Sequence, residues 1–168
     1  MNRPQADEYF SFYKGYIDTV SDDVIAELER QTAAFPEFLR TLTEEKADFA
    51  YAEGKWTIKE LAGHVIDTEK IMAYRVMRIA RNDATPLAGF DENDYVANAH
   101  FADRNLDSLA EEFALLRRAN MYLIKSFNDE EINRKGISNG NPISVRALIY
   151  IMAGHLNHHR RIIEERYL

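Results

Sequence analysis

Apolar residues recur at spacings of three and four along most of this chain, and they predict four amphipathic helices. The first begins at Ser21-Asp22-Asp23, where a hydroxyl or carboxylate can cap the free N–H groups, and carries Val24, Leu28, Gln31, Phe35, Phe38 and Leu42 on one stripe. Pro36 lacks an N–H and crowds the preceding turn, so a kink or break is expected there. The second helix opens on the capping-box pattern Thr57-Ile58-Lys59-Glu60 and runs to about Arg81, with Ile58, Leu61, Val65, Met72, Val76 and Ile79 on one face. Leu106, Leu109, Phe113, Leu116, Asn120, Leu123 and Phe127 mark the third. Ser144 is a plausible cap for the fourth, which continues through Ile163.

The segments between these stripes read as connections. Residues 7–17 hold Tyr9, Phe10, Phe12, Tyr13 and Tyr16 without a clear period; they read as an entry segment lying across an apolar surface, with an aromatic ligand pocket as the alternative. Residues 43–55 and 129–143 are polar, the latter with Gly136, Gly140 and Pro142. Residues 82–104 contain Pro86, Gly89 and many acids; a connection this long is either functional, as a cover for a pocket mouth, or a crossover between distant helices. Asp91, Glu92 and Asp94 lack calcium-loop spacing and read as a solvated face. With no strand pattern, repeat or low-complexity tract, the expectation is an all-α, single-domain four-helix bundle over residues 1–168, with a long crossover connection between helices 2 and 3.

Composition narrows the chemistry. The 168 residues are 46% hydrophobic and 29% charged, and the formal net charge of -7 argues against a nucleic-acid surface. There is no cysteine, so disulfides, thiolate ligands and a cysteine nucleophile are excluded; thiol chemistry would need a thiol from outside. No apolar run is long enough for a membrane span and the first residues show no signal-peptide pattern, which makes a cytoplasmic protein the expectation.

Two imidazoles interrupt the apolar stripe of the fourth helix. At about 100° per residue, Leu148, Met152, His155, Leu156, His159, Ile162 and Ile163 share one face, with His155 and His159 at its centre. One turn apart, both rings can address a single ion, and neutral imidazole is a common metal ligand. The spacing fits equally well two core histidines, each with its own partner, because unpaired buried polar groups are costly. His158 lies about 60° from His155 and reads as a boundary residue. His64 falls at the edge of the second stripe, where an isolated histidine is ordinarily structural.

If His64 joined His155 and His159, the bundle would hold a three-imidazole site with open positions, the arrangement of catalytic zinc. Paired Glu-x-x-His motifs of di-iron bundles are absent, as are His-Glu-x-x-His, Gly-x-Ser-x-Gly and phosphate-cradling glycine loops. Asp67, about 60° from His64, and Glu60, one turn before it, are candidates to orient a ligand, against the plainer readings of solvated charge and helix cap. Asn120, the one polar residue of the third stripe, either meets a buried partner near the histidines or lies at the water margin. Tyr95 is a further candidate for a pocket wall.

Several strings occur together and in order: Glu53-Gly54-Lys55-Trp56-Thr57-Ile58-Lys59-Glu60, Gly63-His64-Val65-Ile66-Asp67-Thr68-Glu69, Arg75 through Arg81, Thr85-Pro86-Leu87, Gly89-Phe90-Asp91-Glu92-Asn93-Asp94-Tyr95 and Gly154-His155-Leu156-Asn157-His158-His159. In these the chain resembles the DinB superfamily, and more narrowly its YfiT-like metal-dependent hydrolases. The resemblance implies a four-helix bundle with a crossover and a divalent metal, zinc or nickel, on three histidines that match His64, His155 and His159. It implies an enzyme that activates water or a low-molecular-weight thiol such as bacillithiol toward a small-molecule substrate, commonly as a homodimer. A non-catalytic, stress-related binding or dimerisation module is the alternative.

Overall fold

The structure is a computed structural model that describes residues 1–168, and each of its long helices begins on a capping side chain. Helix α1 (Lys14–Ile17) is a single turn. Helix α2 (Val24–Arg40) starts where Asp23 accepts from the Ala26 N–H. After α3 (Glu44–Ala47), helix α4 (Ile58–Ala80) opens on the reciprocal Thr57/Glu60 capping box. It stops at Asn82, whose positive φ of 62° ends the helix in the left-handed region. Short α5 (Glu92–Asn98) precedes α6 (Leu106–Lys125), capped by Asn105. A turn of helix, α7 (Asp129–Asn133), leads into strands β1 (Lys135–Ser138) and β2 (Asn141–Ser144). Ser144 then caps α8 (Val145–Arg166), accepting from the Ala147 N–H.

The four long helices form the bundle, in the order α2, α6, α4, α8 around its axis. Side-chain pairs fix their directions. Glu29 with Lys125, Phe35 with Phe113 and Arg40 with Asp107 set α2 antiparallel to α6. Trp56 with Tyr167 and His64 with His155 set α4 antiparallel to α8. Between α4 and α6 the numbers rise together: Gly63 faces Phe101 just ahead of α6, Lys70 pairs with Glu112, Glu69 with Arg117, and Arg81 covers Phe127. The neighbouring helices α4 and α6 are therefore parallel, which gives an up-down-down-up bundle. A parallel pair obliges residues 81–105 to travel back along its whole length, and this is the expected crossover between helices 2 and 3.

Several local expectations need correction. The segment 129–143 is not a plain connection: β1 and β2 pair antiparallel, with Lys135 opposite Ser144 and Ser138 opposite Asn141. Asn139 (φ 49°) and Gly140 (φ 73°) make the two-residue turn, an Asn-Gly pair suited to a primed hairpin turn. The hairpin grips the crossover, since the Leu87 N–H donates to the Ile137 carbonyl and the Asn139 N–H donates to the Leu87 carbonyl, each at 2.9 Å. Segments 43–55 and 82–104 contain the short helices α3 and α5. Helix α2 runs through Pro36 without a break, because buried Phe35 and Leu39 on either side hold it against the bundle.

Two apolar clusters fill the bundle, one including Phe35, Val65, Ile66, Phe113 and Leu156, the other Leu28, Met72, Ala73, Met121 and Met152. Between them each long helix contributes buried polar side chains at the same level: Gln31, Thr68 with Glu69, Arg117 with Asn120, and His155. The bundle thus carries a polar layer through its middle, and the candidate site is one side of that layer.

Candidate metal centre

His64 is brought inward by α4, and His155 and His159 by consecutive turns of α8; each is less than 9% exposed. The Nε2 of His155 lies 3.0 Å from the Nε2 of His64 and 3.0 Å from the Nε2 of His159. Imidazole nitrogens bound at about 2.0–2.1 Å to a tetrahedral zinc stand about 3.3 Å apart, close to the spacing found here, and the ligand atoms of all three rings lie within 4.8 Å of one another. Hydrogen bonding among the rings accounts for only one of the two 3.0 Å contacts. A single Nε2 has either one proton or one lone pair, so His155 can make only one good bond with its two neighbours. Three lone pairs turned toward one cation remove the conflict. The cluster can hold a metal ion.

Burial keeps the rings neutral. It lowers His64 to about 4 from the ordinary 6.5. His155 is held well below the ordinary value by burial first, then by the neighbouring His159, His64 and His158 and by Arg117; His159 is held down by burial, then by His64 and His158. Neutral imidazole is the form that binds a cation. The Nδ1 of His159 is buried without a hydrogen-bond partner, so the common device of a carboxylate behind a ligand histidine is missing at that ring.

Around the triad the walls are aromatic. The ring of Trp56 lies 4.8 Å from that of His64, and the ring of Tyr16 stands edge-on to His155 at 5.6 Å. A cavity of about 480 Å³ opens over the three rings, with Phe10, Phe12, Tyr13 and Tyr16 in its wall. The aromatic segment 7–17 is therefore pocket wall rather than merely an entry segment. Gly154 makes this approach possible: a Cβ there would stand 2.1 Å from the Tyr16 carbonyl oxygen. The crossover contributes Gly89, Phe90 and Glu92 at the mouth.

Other candidates lie elsewhere. Glu60 is a helix cap, accepting from the Thr57 N–H at 2.7 Å and from its hydroxyl at 3.0 Å. Asp67 meets Lys70 at 3.4 Å on the bundle surface. Asn120 is buried but donates to Glu69, at 2.9 Å, rather than to a histidine. His158 is half-buried, with its ring 5.0 Å from His159 and 5.1 Å from Tyr16, outside the cavity wall. Tyr95 is 46% exposed and packs on Phe90, also outside that wall.

Four residues had not been singled out from the sequence. Glu69 on α4 accepts two bonds from Arg117, whose third nitrogen donates to Gln31. Thr68, one turn after His64, lines the cavity with a buried hydroxyl that has no partner. Arg75, two turns further, also lines it. Glu69 and Arg117 sit on otherwise apolar stripes, a signal the periodicity already contained.

Comparison with known proteins agrees with this architecture. The model of the DinB superfamily matches residues 27–163. An Oceanobacillus iheyensis protein, named as a candidate metal-dependent hydrolase, is 24% identical over 140 residues, covering 80% of this chain and 78% of that protein. Among solved structures, YfiT from Bacillus subtilis, described as a probable metal-dependent hydrolase with an unusual four-helix bundle topology, superposes with a TM-score of 0.79 at 18% identity, over 97% of this chain and 91% of that one. On the match to most of its length, together with the shared fold, this chain belongs to the DinB superfamily.

Proposed function

We propose that the protein is a metal-dependent hydrolase of small molecules, with a divalent ion, zinc or nickel, held by His64, His155 and His159. The observation that carries this reading is the convergence of three neutral Nε2 atoms beneath an open cavity. Three protein ligands would leave a position for solvent or substrate, and an ion held so would lower the pKa of bound water and polarise a carbonyl or phosphoryl oxygen. Trp56 and Tyr16 flank the rings with aromatic surface, while the Thr68 hydroxyl offers a hydrogen bond one turn from His64. In the net reaction water adds across the scissile bond, its oxygen to the acyl or phosphoryl centre and its proton to the leaving group.

Transfer of an external low-molecular-weight thiol to an electrophile is the second reading. It is compatible with a chain that has no cysteine, since the nucleophile would arrive as the cosubstrate, and the cavity of about 480 Å³ is of the size that takes a small ligand. The open cavity favours either reaction over a non-catalytic module. We further propose a homodimer in the cytoplasm; sedimentation at micromolar concentration tests the dimer, and fractionation of the source cells the location.

The deciding experiment is elemental analysis of protein purified without a histidine tag, followed by screening against ester, amide and phosphoester panels and against thiol–electrophile pairs. About one ion per chain is expected in the wild type, and far less in His155→Ala. Equally little metal in both would end the proposal. Thiol-dependent turnover without hydrolysis would move the second reading ahead.

A further inference from the structure

Arg75 is a buried cation without an anion. Its residue is 3% exposed, yet no carboxylate lies within ion-pairing distance. Every other buried charged residue of the bundle has an opposite charge at hand: Glu8 has Arg146, Glu27 has Arg30, Lys59 has Glu44 and Asp48, and Glu69 has Arg117. Arg75 has only the Ala88 carbonyl, 2.7 Å from Nη2, the Met72 sulfur, 3.8 Å from Nη1, and the face of Phe90, 5.8 Å away. A guanidinium offers five N–H donors, so most of its capacity is unused. Burying a charge without a partner costs on the order of several kcal/mol. Burial accordingly lowers its proton affinity, with only the weak opposing influence of Tyr13. Glu92 on the crossover, the one acid in the cavity wall, makes no ion pair with it.

The position explains the expense. Arg75 lines the same cavity as the three histidines. His64, Thr68 and Met72 succeed one another at intervals of one turn along α4, and the Arg75 guanidinium leans back over Met72. At about 1.5 Å per residue it stands on the order of 10 Å from the imidazole cluster. The partly exposed Phe90 and the carbonyl of Ala88 fix its plane from the crossover side, so the fork is oriented rather than free.

We propose that Arg75 is the anion-binding subsite of this cavity, and that the substrate is a small molecule carrying a carboxylate or phosphate about 10 Å from its reacting group. This inference rests on the metal-site reading for where the reacting group lies, but not for the anion subsite itself.

The test separates the two claims. Binding to metal-free protein is measured by calorimetry for heptanoate, heptyl phosphate and the neutral isostere heptanamide; the metal-loaded protein is then titrated with the monohydroxamate of suberic acid and with its terminal amide. In metal-free wild type, one of the two anions should bind at least about tenfold more tightly than heptanamide, and the tighter one identifies the headgroup. Arg75→Gln should erase that preference while leaving heptanamide unchanged. Should that variant fail to fold, Arg75→Lys keeps the charge, loses the fork and should weaken anion binding about tenfold. Equal binding of anion and amide to wild type, or a preference that survives both substitutions, would overturn the subsite. If the anion preference holds but metal loading tightens neither hydroxamate, the metal-site reading fails and the subsite stands; if it tightens only the amide-ended one, the separation of about 10 Å is overturned.

Discussion

Arg117 on α6 donates from Nε and Nη2 to the two carboxylate oxygens of Glu69 on α4, at 2.6 and 2.9 Å, with both side chains sealed from solvent. This fork ties the parallel pair α4 and α6 together directly behind the histidines, and Gln31 and Asn120 satisfy its remaining groups. Removing one partner strands the other charge in the core. Glu69→Gln and Arg117→Met should each lower stability by about 3–5 kcal/mol, and the double substitution should cost well below their sum. Denaturant midpoints for the four proteins read the coupling, and strict additivity would contradict the geometry.

Because the triad conflicts with itself in the absence of a cation, metal should stabilise the fold. At a hundredfold excess over its dissociation constant, zinc should add about 2.7 kcal/mol, or roughly 5–10 °C in Tm. A chelator should reverse the gain. His155→Ala protein should show no zinc-dependent shift in the same thermal melts, and a full shift in that variant would place the ion elsewhere.

Stability of the metal-free protein should fall over two successive, overlapping acid ranges. His64 is depressed by burial to about 4, so its contribution is complete above 6.5 and declines as protons enter the unfolded chain between 6.5 and 4. Glu8 behaves in the opposite chemical sense with the same outcome. Burial raises its pKa, but bonds from Arg146, the Gln5 N–H and Ser144 outweigh burial and bring it to about 2. Its contribution is present above 4.5 and is lost as the pH falls toward 2. His64→Phe should make the first decline shallower without removing it, since His155 and His159 are held low by the same burial, and Glu8→Gln should do the same for the second in pH-resolved urea titrations; a profile that neither variant alters would refute the assignment.

Gly154 is adjacent to His155 and touches the backbone that carries the aromatic wall. Gly154→Ala should force the Tyr16 segment outward, at a cost of about 1–3 kcal/mol, because the obstacle is a carbonyl and not a mobile side chain. Metal content should persist while tryptophan fluorescence and ligand affinity change. Unchanged affinity with unchanged stability would show that the segment can yield without consequence.

The helices were legible in the sequence because amphipathic periodicity is local: each stripe needs only its own residues to declare which face is buried. The caps at Thr57 and Ser144 and the pairing of His155 with His159 are local in the same way. The hairpin was missed although Asn139-Gly140 announces its turn, since β1 and β2 are too short to show an alternating period. The joining of His64 to the α8 pair, the polar layer built by Gln31, Glu69 and Arg117, and the isolation of Arg75 were decided only when the crossover set α4 parallel to α6 and antiparallel to α8. Helix periodicity says which side of a rod avoids water; it carries no information on which rod lies opposite, at what level, or whether a buried charge will find a partner there. Those relations span 91 residues between His64 and His155, and only the packed bundle contains them.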